Sequence, residues 1–534
     1  MASYDYSVAS SFNSVNPATA QLNQEINAVA GIAPNCTAIN QLGDTVTIYF
    51  SASLSEGEIT TLNGVIAAHV PRPIFRGSIQ NYADAVVATD GSGAFTSIAA
   101  AFASGAVTVF VRRGLYVETS DIIMPENGTL VGETVSSVGI AFVGAKGIRI
   151  DGSGGVKQTA GTISITNGTT TVTGVGTSFT SLVAGSSISL GNTFYDVLSV
   201  QSDTQLTLLA PYRGQTLTNN TYIAQKIKTA VFLSNFIVRG SSTTAIYVRA
   251  VKSCVFHYVG VVANAAGVEL IDAIANGFTF CNISYNSSFG LRIDNSRTVS
   301  IATANIYNTN GVGLDICNNS GDISISNTMV SQNNGIGLLI RDGSDKIMLN
   351  GSTVNYNTSD GISVSGAESH GIIIDSTVCS FNGDNGIDVS NGEWSAITDC
   401  TVESNGSHGI LAGVKNVVNG NHVCDNGGDG VRVTAGLANV TNNQLHGNTL
   451  DGINILSGAD DCIVNANLSS SNSGNGLVVS ANTCIIGSNR CVSNDGKGCH
   501  ITEGATSNIV KMNCFTSNTG VNYDDDGTNT ITDL

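Results

Sequence analysis

Three sets of charged residues recur at intervals of 21 to 25 residues in this 534-residue chain, with types and phase suited to acid–base chemistry. In the first, Asp360, Asn385, His408, Asp429 and Asp451 each stand immediately before a glycine. If one interval is one turn of a solenoid, their side chains lie on successive turns, about 5 Å apart. Carboxylates at that spacing, here Asp429 and Asp451, suit a nucleophile-and-acid pair for glycosidic cleavage; an inverting pair needs ~6.5–9.5 Å. Like-charge repulsion would raise one of their pKa values, and His408 would carry a proton beside them. The second set, the second choice for a catalytic carboxylate pair, joins Asp375 with Asp399, each three residues before a valine, in a phase where other repeats carry Asn327, Asn442 or Asn465. The third pairs Arg292 with Asp315, both second after a glycine, with Asp294 nearby. Arg292 and Asp315 are candidate binding residues, although a surface ion pair of small energy accounts for them cheaply. Every set has a competing structural account, because Asp and Asn are the expected residues of hydrogen-bonded turns.

The elements that would position these residues are repeats. Glycines at 290, 313, 337, 361, 386, 409, 430, 452, 476, 498 and 520 each follow a polar, Asn-rich turn, and nearly all precede the pattern apolar–any–apolar. A period averaging 23 residues marks a solenoid whose units stack because none can bury its apolar face alone. Short β-type runs such as Gly386-Ile387-Asp388-Val389 alternate with turns, and no helical period is present. The pattern predicts an all-β, right-handed, single-stranded parallel β-helix. Proline agrees: six occur, at 17, 34, 71, 73, 125 and 211, and the last 323 residues contain none. A continuous ladder needs every backbone N–H. Cys462 and Cys484 occupy matching phrases 22 residues apart and are expected to be buried neighbours.

Composition bounds the partners. The net charge of −18 argues against nucleic acid, and no apolar run approaches the roughly 18 residues of a membrane span. The twelve cysteines lie mostly in strand positions and read as small buried apolar residues; none of their spacings resembles a zinc site. Asp524-Asp525-Asp526-Gly527 has the composition of a calcium turn but reads as a solvated turn, so no cofactor or metal is indicated. The opening Met-Ala-Ser-Tyr-Asp-Tyr has no basic region before an apolar stretch, hence no signal peptide is read there.

Before the repeats the chain divides into three pieces. Residues 1–75 read as a small α+β head. Asn16-Pro17 opens a helix carrying Leu22, Ile26 and Val29 to Gly31, a strand holds Val46, Ile48 and Phe50, and Ser55 with Glu58 forms a capping box before Leu62 and Ile66; Pro71 and Pro73 mark the exit. So small a unit is expected to dock on copies of itself or on a larger assembly. Residues 158–227 show period-2 alternation and hairpin turns, an antiparallel β module inserted between two coils. The coils then occupy 228–534.

Residues 76–157 resemble the opening of a pectate-lyase-like (pectin-lyase-like) β-helix. The resemblance lies in Asp90-Gly-Ser-Gly-Ala-Phe95-Thr-Ser-Ile98, the Ala-rich run to Gly105, Val107-Thr-Val-Phe-Val111, Arg113-Gly114, Tyr116 and Thr129-Leu-Val-Gly132-Glu133. It implies that a short helix near Ile98 and Phe102 plugs the first coil, whose core and edge would otherwise be open. The combination of head, cap, inserted module and Asn-rich coils resembles viral attachment proteins, namely phage tailspikes and the spike or fibre proteins of large DNA viruses. The phrase Leu54-Ser-x-x-Glu58-x-x-x-Leu62-x-x-Val65-Ile66-Ala-Ala-His69 is similar to their heads. That resemblance implies a virion surface protein made in the host cytoplasm: a homotrimer joined through its head to other virion proteins, its shaft binding host glycans. The alternative is a polysaccharide lyase or glycoside hydrolase. The coils resemble polygalacturonases in fold, and Asp460-Asp461 is similar to their acid pair, but it sits on the wrong strand, and their Asn-Thr-Asp and Arg-x-Lys signatures are missing.

Overall fold

From residue 277 onward each coil is built on three short strands, most of three residues, because an inward apolar residue every second position is enough to fill one layer of core. In the coil Ile485–Gly487, Arg490–Val492, Cys499–Ile501, the residues Ile486, Cys491, Cys499 and Ile501 are buried while Ile485 and Arg490 face out. Strands pair in parallel with their counterparts one coil on, Ile486 opposite Val510 and Val478 opposite His500. One of the resulting sheets has 15 strands, from Ile122–Ile123 to Tyr523–Asp525. The computed structural model describes residues 2–7, 22, 26–27, 29, 32–42, 45–68, 83–154, 157–191, 193–366 and 369–533.

The repeat glycines are explained by close approach rather than by backbone conformation. A Cβ on Gly430 would lie 2.7 Å from the Gly452 carbonyl oxygen and 2.8 Å from Asn448 Nδ2, and Gly313 to Gly476 repeat that crowding. Gly520 does not belong to this column. Cys499 stands opposite Tyr523, so Asn522 occupies the place after Gly498, and Gly520 stacks on Gly496.

Next to the glycines runs a buried asparagine ladder. From Asn333 to Asn494, each Nδ2 donates to the Oδ1 of the asparagine one coil on, at 2.9–3.0 Å. Each Nδ2 also reaches a backbone carbonyl of the previous coil, as Asn426 does with Val402 at 3.2 Å. Every polar atom of the column has a partner, which is the condition for burying one.

The first coils are closed by the helix Ile98–Ala103. Its N-terminus is held by Glu118, 2% exposed, whose carboxylate accepts from Ile98 N at 2.6 Å and Ser97 Oγ at 2.8 Å. After Asp151 the chain leaves the solenoid. It builds an eight-stranded antiparallel sheet between Lys157 and Gln225 around Ile163, Phe179 and Leu206, then re-enters, since Ile148–Asp151 pairs directly with strand Thr244–Arg249. The ion pairs Lys157–Asp272 (2.9 Å) and Lys252–Asp196 (2.7 Å) tie this module to the coils.

A separate small unit comprises Met1–Val86 with Thr108–Phe110. Thr45–Phe50 is the central strand of a three-stranded antiparallel sheet, its Val46, Ile48 and Phe50 packing with Leu62 and Ile66 of the helix Glu56–Ala68. The capping box forms: Ser55 N donates to Glu58 Oε2 at 2.8 Å and Glu58 N to Ser55 Oγ at 3.4 Å. The expected cap Asn16-Pro17, the stop at Gly31, and Pro71 and Pro73 lie outside the described residues, while Leu22 and Ile26 are buried in this core. Among the described residues no helix is long and apolar enough to cross a membrane.

Candidate functional site

The column before the glycines brings Asp360, Asn385, His408, Asp429 and Asp451 onto consecutive coils, as the spacing predicts. Its side chains are engaged in a specific way. Each accepts a hydrogen bond from the backbone N–H of the next member: Asn385 N to Asp360 Oδ1 (3.1 Å), His408 N to Asn385 Oδ1 (3.2 Å), Asp429 N to His408 Nδ1 (2.9 Å), Asp451 N to Asp429 Oδ1 (3.0 Å), Asn475 N to Asp451 Oδ1 (2.6 Å) and Lys497 N to Asn475 Oδ1 (2.8 Å). The position demands an acceptor, and Asp, Asn and His each supply one.

Asp429, 1% exposed, is the most enclosed of the set, with Arg432 Nη1 at 3.5 Å and Asn454 Nδ2 at 3.2 Å from its second oxygen. Because His408 Nδ1 accepts from a backbone amide, the neutral ring carries its proton on Nε2. Arg432 Nη1, 3.2 Å from that Nε2, is then a second donor and makes no hydrogen bond to it. Burial pushes the His408 pKa down, against the pull of the Asp429 carboxylate, and Arg432 lowers it further. Burial also pushes the Asp451 carboxyl up; bonds from Asn475 draw it back and the charge of Asp429 adds to the rise. The column therefore offers a carboxyl of raised pKa beside a charged neighbour, with one oxygen of each already committed to the backbone.

The other two sets are arranged differently from the sequence expectation. Asp375 stands opposite Thr398, not Asp399; it accepts from Thr398 Oγ1 (2.7 Å) and Asn350 Nδ2 (2.6 Å). Asp399 is one residue further on, in a left-handed corner (φ 51°) shared with Asn327 and Asn442. The valine spacing misled because the two valines are not equivalent: Val378 faces out opposite Thr401, whereas Val402 is buried opposite Cys379. Arg292 and Asp315 are paired in register, but not as a surface pair. Asp315 is 2% exposed and is clamped between Arg292 Nε (2.9 Å) and Arg341, which contacts both oxygens at 3.0 and 3.1 Å. Arg341, 26 residues on, was not anticipated. At the C-terminal turn, Asp524 pairs with Lys497 and Asp526 lies 3.2 Å from His500 Nε2, so two acids of the run already face basic side chains of this protein.

Exposed aromatic side chains form a feature that the charged-residue pattern gave no hint of. Tyr258, Phe280, Tyr285, Tyr356 and Phe381 occupy corners at φ 52–56°, where other coils carry Asn, Ser, Asp or Gly. A left-handed conformation costs a residue with a Cβ about 1–2 kcal/mol. All five are 40–56% exposed. Tyr258 stacks on Phe280 (centroids 4.8 Å, 9°) and Tyr356 on Phe381 (5.0 Å, 4°), and Trp394, 62% exposed, carries Lys415 Nζ 4.6 Å from its ring. The corner holding Tyr356 and Phe381 continues with Gln332 on one side and Ser404 and Asp425 on the other. The signal was present in the sequence: these are the residues immediately before the ladder asparagines Asn357 and Asn382.

The chain belongs to the family described as right handed beta helix region, whose model matches residues 217–378 and 385–533. No curated protein matches it. Among solved structures it is similar to the A-module of the mannuronan C-5 epimerase AlgE6 of Azotobacter vinelandii (13% identity, 82% of this chain and 94% of that one, TM-score 0.46). It is also similar to the gp61 tailspike of Pseudomonas phage phi297 (12%, 80% and 72%, TM-score 0.44) and the Gp54 tailspike of Acinetobacter baumannii bacteriophage AP22, solved with a capsular saccharide (11%, 79% and 72%, TM-score 0.42). At such identities the likeness is one of fold.

Proposed function

We propose that this protein is a viral spike or fibre whose β-helical shaft binds glycans on the host surface. The observation that carries the reading is the set of exposed aromatic residues held, at a conformational cost, in corners that Asn, Asp or Gly fill more cheaply elsewhere in the same solenoid. Rigid aromatic rings flanked by amide, hydroxyl and carboxylate groups supply contact area at low entropic cost together with directional hydrogen bonds, the combination that sugar rings require. The small N-terminal unit serves for docking on the virion and for assembly as a homotrimer, which light scattering on the full chain tests.

The decisive experiment replaces Tyr356 and Phe381 by Ser, the residue at the equivalent corner 404. Thermal stability should be unchanged or higher, and binding on an array of bacterial and algal surface polysaccharides should drop by about tenfold or more, roughly 1.4 kcal/mol. A wild type that binds no glycan on the array, or a double variant that binds as well as wild type, sinks the reading. The raised Asp451 carboxyl beside Asp429 favours one second reading, polysaccharide cleavage. Under it, Asp429→Asn and Asp451→Asn each abolish release of reducing ends or unsaturated products while leaving glycan binding intact.

A further inference from the structure

Below the Tyr356–Phe381 corner, the strands Thr401–Glu403, His422–Cys424 and Gln444–His446 stack in parallel, with Glu403 opposite Cys424 and Cys424 opposite His446. His422, two residues before Cys424, lies on the same outward face. Its Nε2 is 2.9 Å from His446 Nε2, and the Sγ of Cys424 lies within 4.8 Å of both rings' donor atoms. Glu403 Oε2 is 3.9 Å from that Sγ. The same outward column offers only Asn355, Ser380 and Ser470 on neighbouring coils, so the concentration of soft and borderline donors is local.

We infer that His422, Cys424 and His446 form a binding site for a zinc-class divalent transition metal. Two imidazole nitrogens and a thiolate are the donor set that such ions select over calcium or magnesium, which take oxygen. A tetrahedral zinc, with Zn–N of about 2.0–2.1 Å, holds its two nitrogens about 3.3 Å apart, a few tenths wider than the separation between these rings. The backbone ladders fix the three residues on adjacent coils, so little ordering is needed on binding. Metal capture releases the proton of the Cys424 thiol, since the thiolate is the ligand. Three protein ligands leave a fourth position open to water or to a ligand atom. The second histidine–acid group, His500 with Asp524 and Asp526, differs: Lys497 already sits on Asp524. The site does not depend on the glycan reading and stands or falls separately from it.

The test uses the full chain, stripped by chelator under reducing conditions and titrated with Co2+ and then Zn2+. One Co2+ per chain should give a near-ultraviolet thiolate-to-cobalt charge-transfer band that Zn2+ abolishes. Cys424→Ser should remove the band. His422→Gln, at a half-exposed ring whose loss leaves the coil core untouched, should weaken binding by at least the roughly tenfold that even outer-sphere changes cost. His500→Gln should leave the band unaltered. Absence of the band in the wild type, or its survival in Cys424→Ser, overturns the assignment. Circular dichroism confirms that each variant is folded.

Discussion

Asn426 and Asp429 stand three residues apart on one turn, and each bonds to its counterpart on the next coil, yet their two columns obey different rules. In the inner column the side chain must both donate and accept, because it is buried away from solvent. Only asparagine satisfies itself indefinitely, and from Asn333 to Asn518 the residue never changes. In the outer column the bond that recurs on every coil comes from a backbone N–H, and a side-chain amide adds to it only at some coils, as Asn385 and Asn475 do, so the side chain need only accept; aspartate, asparagine and histidine all occur. Uniformity marks a position where every atom is spoken for. Variation marks a position where charge can be placed, and that is where chemistry has room to appear.

The sharpest way to break this contrast is to damage the inner column. Asn426→Ala deprives Asn405 N and Nδ2 of their acceptor, removes the side-chain donor to Val402 O, and leaves Asn448 Oδ1 with only the backbone N–H of residue 426. With each unsatisfied buried group costing ~1–3 kcal/mol, destabilisation of about 3 kcal/mol is expected, read as a lower unfolding midpoint at fixed scan rate. Asn426→Asp should do worse at neutral pH, since it buries a charged carboxylate and turns one of its oxygens onto two acceptors, Val402 O and Asn448 Oδ1. A variant melting with the wild type would show the ladder to be ornamental.

The outer column should respond in the opposite direction. The Asp451 carboxyl titrates higher in the fold than in the unfolded chain, so the fold favours its protonated form, and it costs stability as pH rises through that window. Asp451→Asn, which keeps the acceptor for Asn475 N, should raise the midpoint by roughly 1 kcal/mol equivalent above pH 7. The two proteins should converge near pH 4. Equal melting curves at both pH values would mean that the carboxylate is as comfortable in the column as an amide.

The smallest effect concerns His408, which faces Asp429, Arg432, Asp384 and Asp388. Its pKa is lowered, so the unfolded state binds the proton first as pH falls below the ordinary imidazole value, and native stability declines there. His408→Asn, matching Asn385 and Asn475, should remove that decline, a difference below ~1 kcal/mol between about pH 7 and pH 5. Midpoints measured at the two pH values decide it: an unchanged slope in the variant assigns the decline to another group.

Much of the coil region was legible because its physics is repetitive. A strand must expose one face and bury the other, and a coil must return to the same register, so Ile, Val and Gly recur with a visible period. Burial of Cys462 and Cys484 followed from that period, and both are buried, free thiols. The outer column was legible for the same reason, as were the capping box at Ser55 and the plug helix at Ile98–Ala103. Where a look-alike residue stands one or two places from the true counterpart, the sequence alone misassigns a column, as with Asp375 and Asp399 or with Gly520.

By itself, then, the chain determines the right-handed parallel coil, its core, the order of its pieces and which acids fall on successive turns, since all of these depend on local pattern and period. Only the tertiary structure decides what each outward residue does there. That Asp315 is clamped by two arginines 49 residues apart, that His422 and His446 meet through their Nε2 atoms, and that Asp429 spends an oxygen on a backbone amide all depend on distances between coils. A period fixes which residues are neighbours; hydrogen bonds, burial and charge across the coils fix what neighbours become.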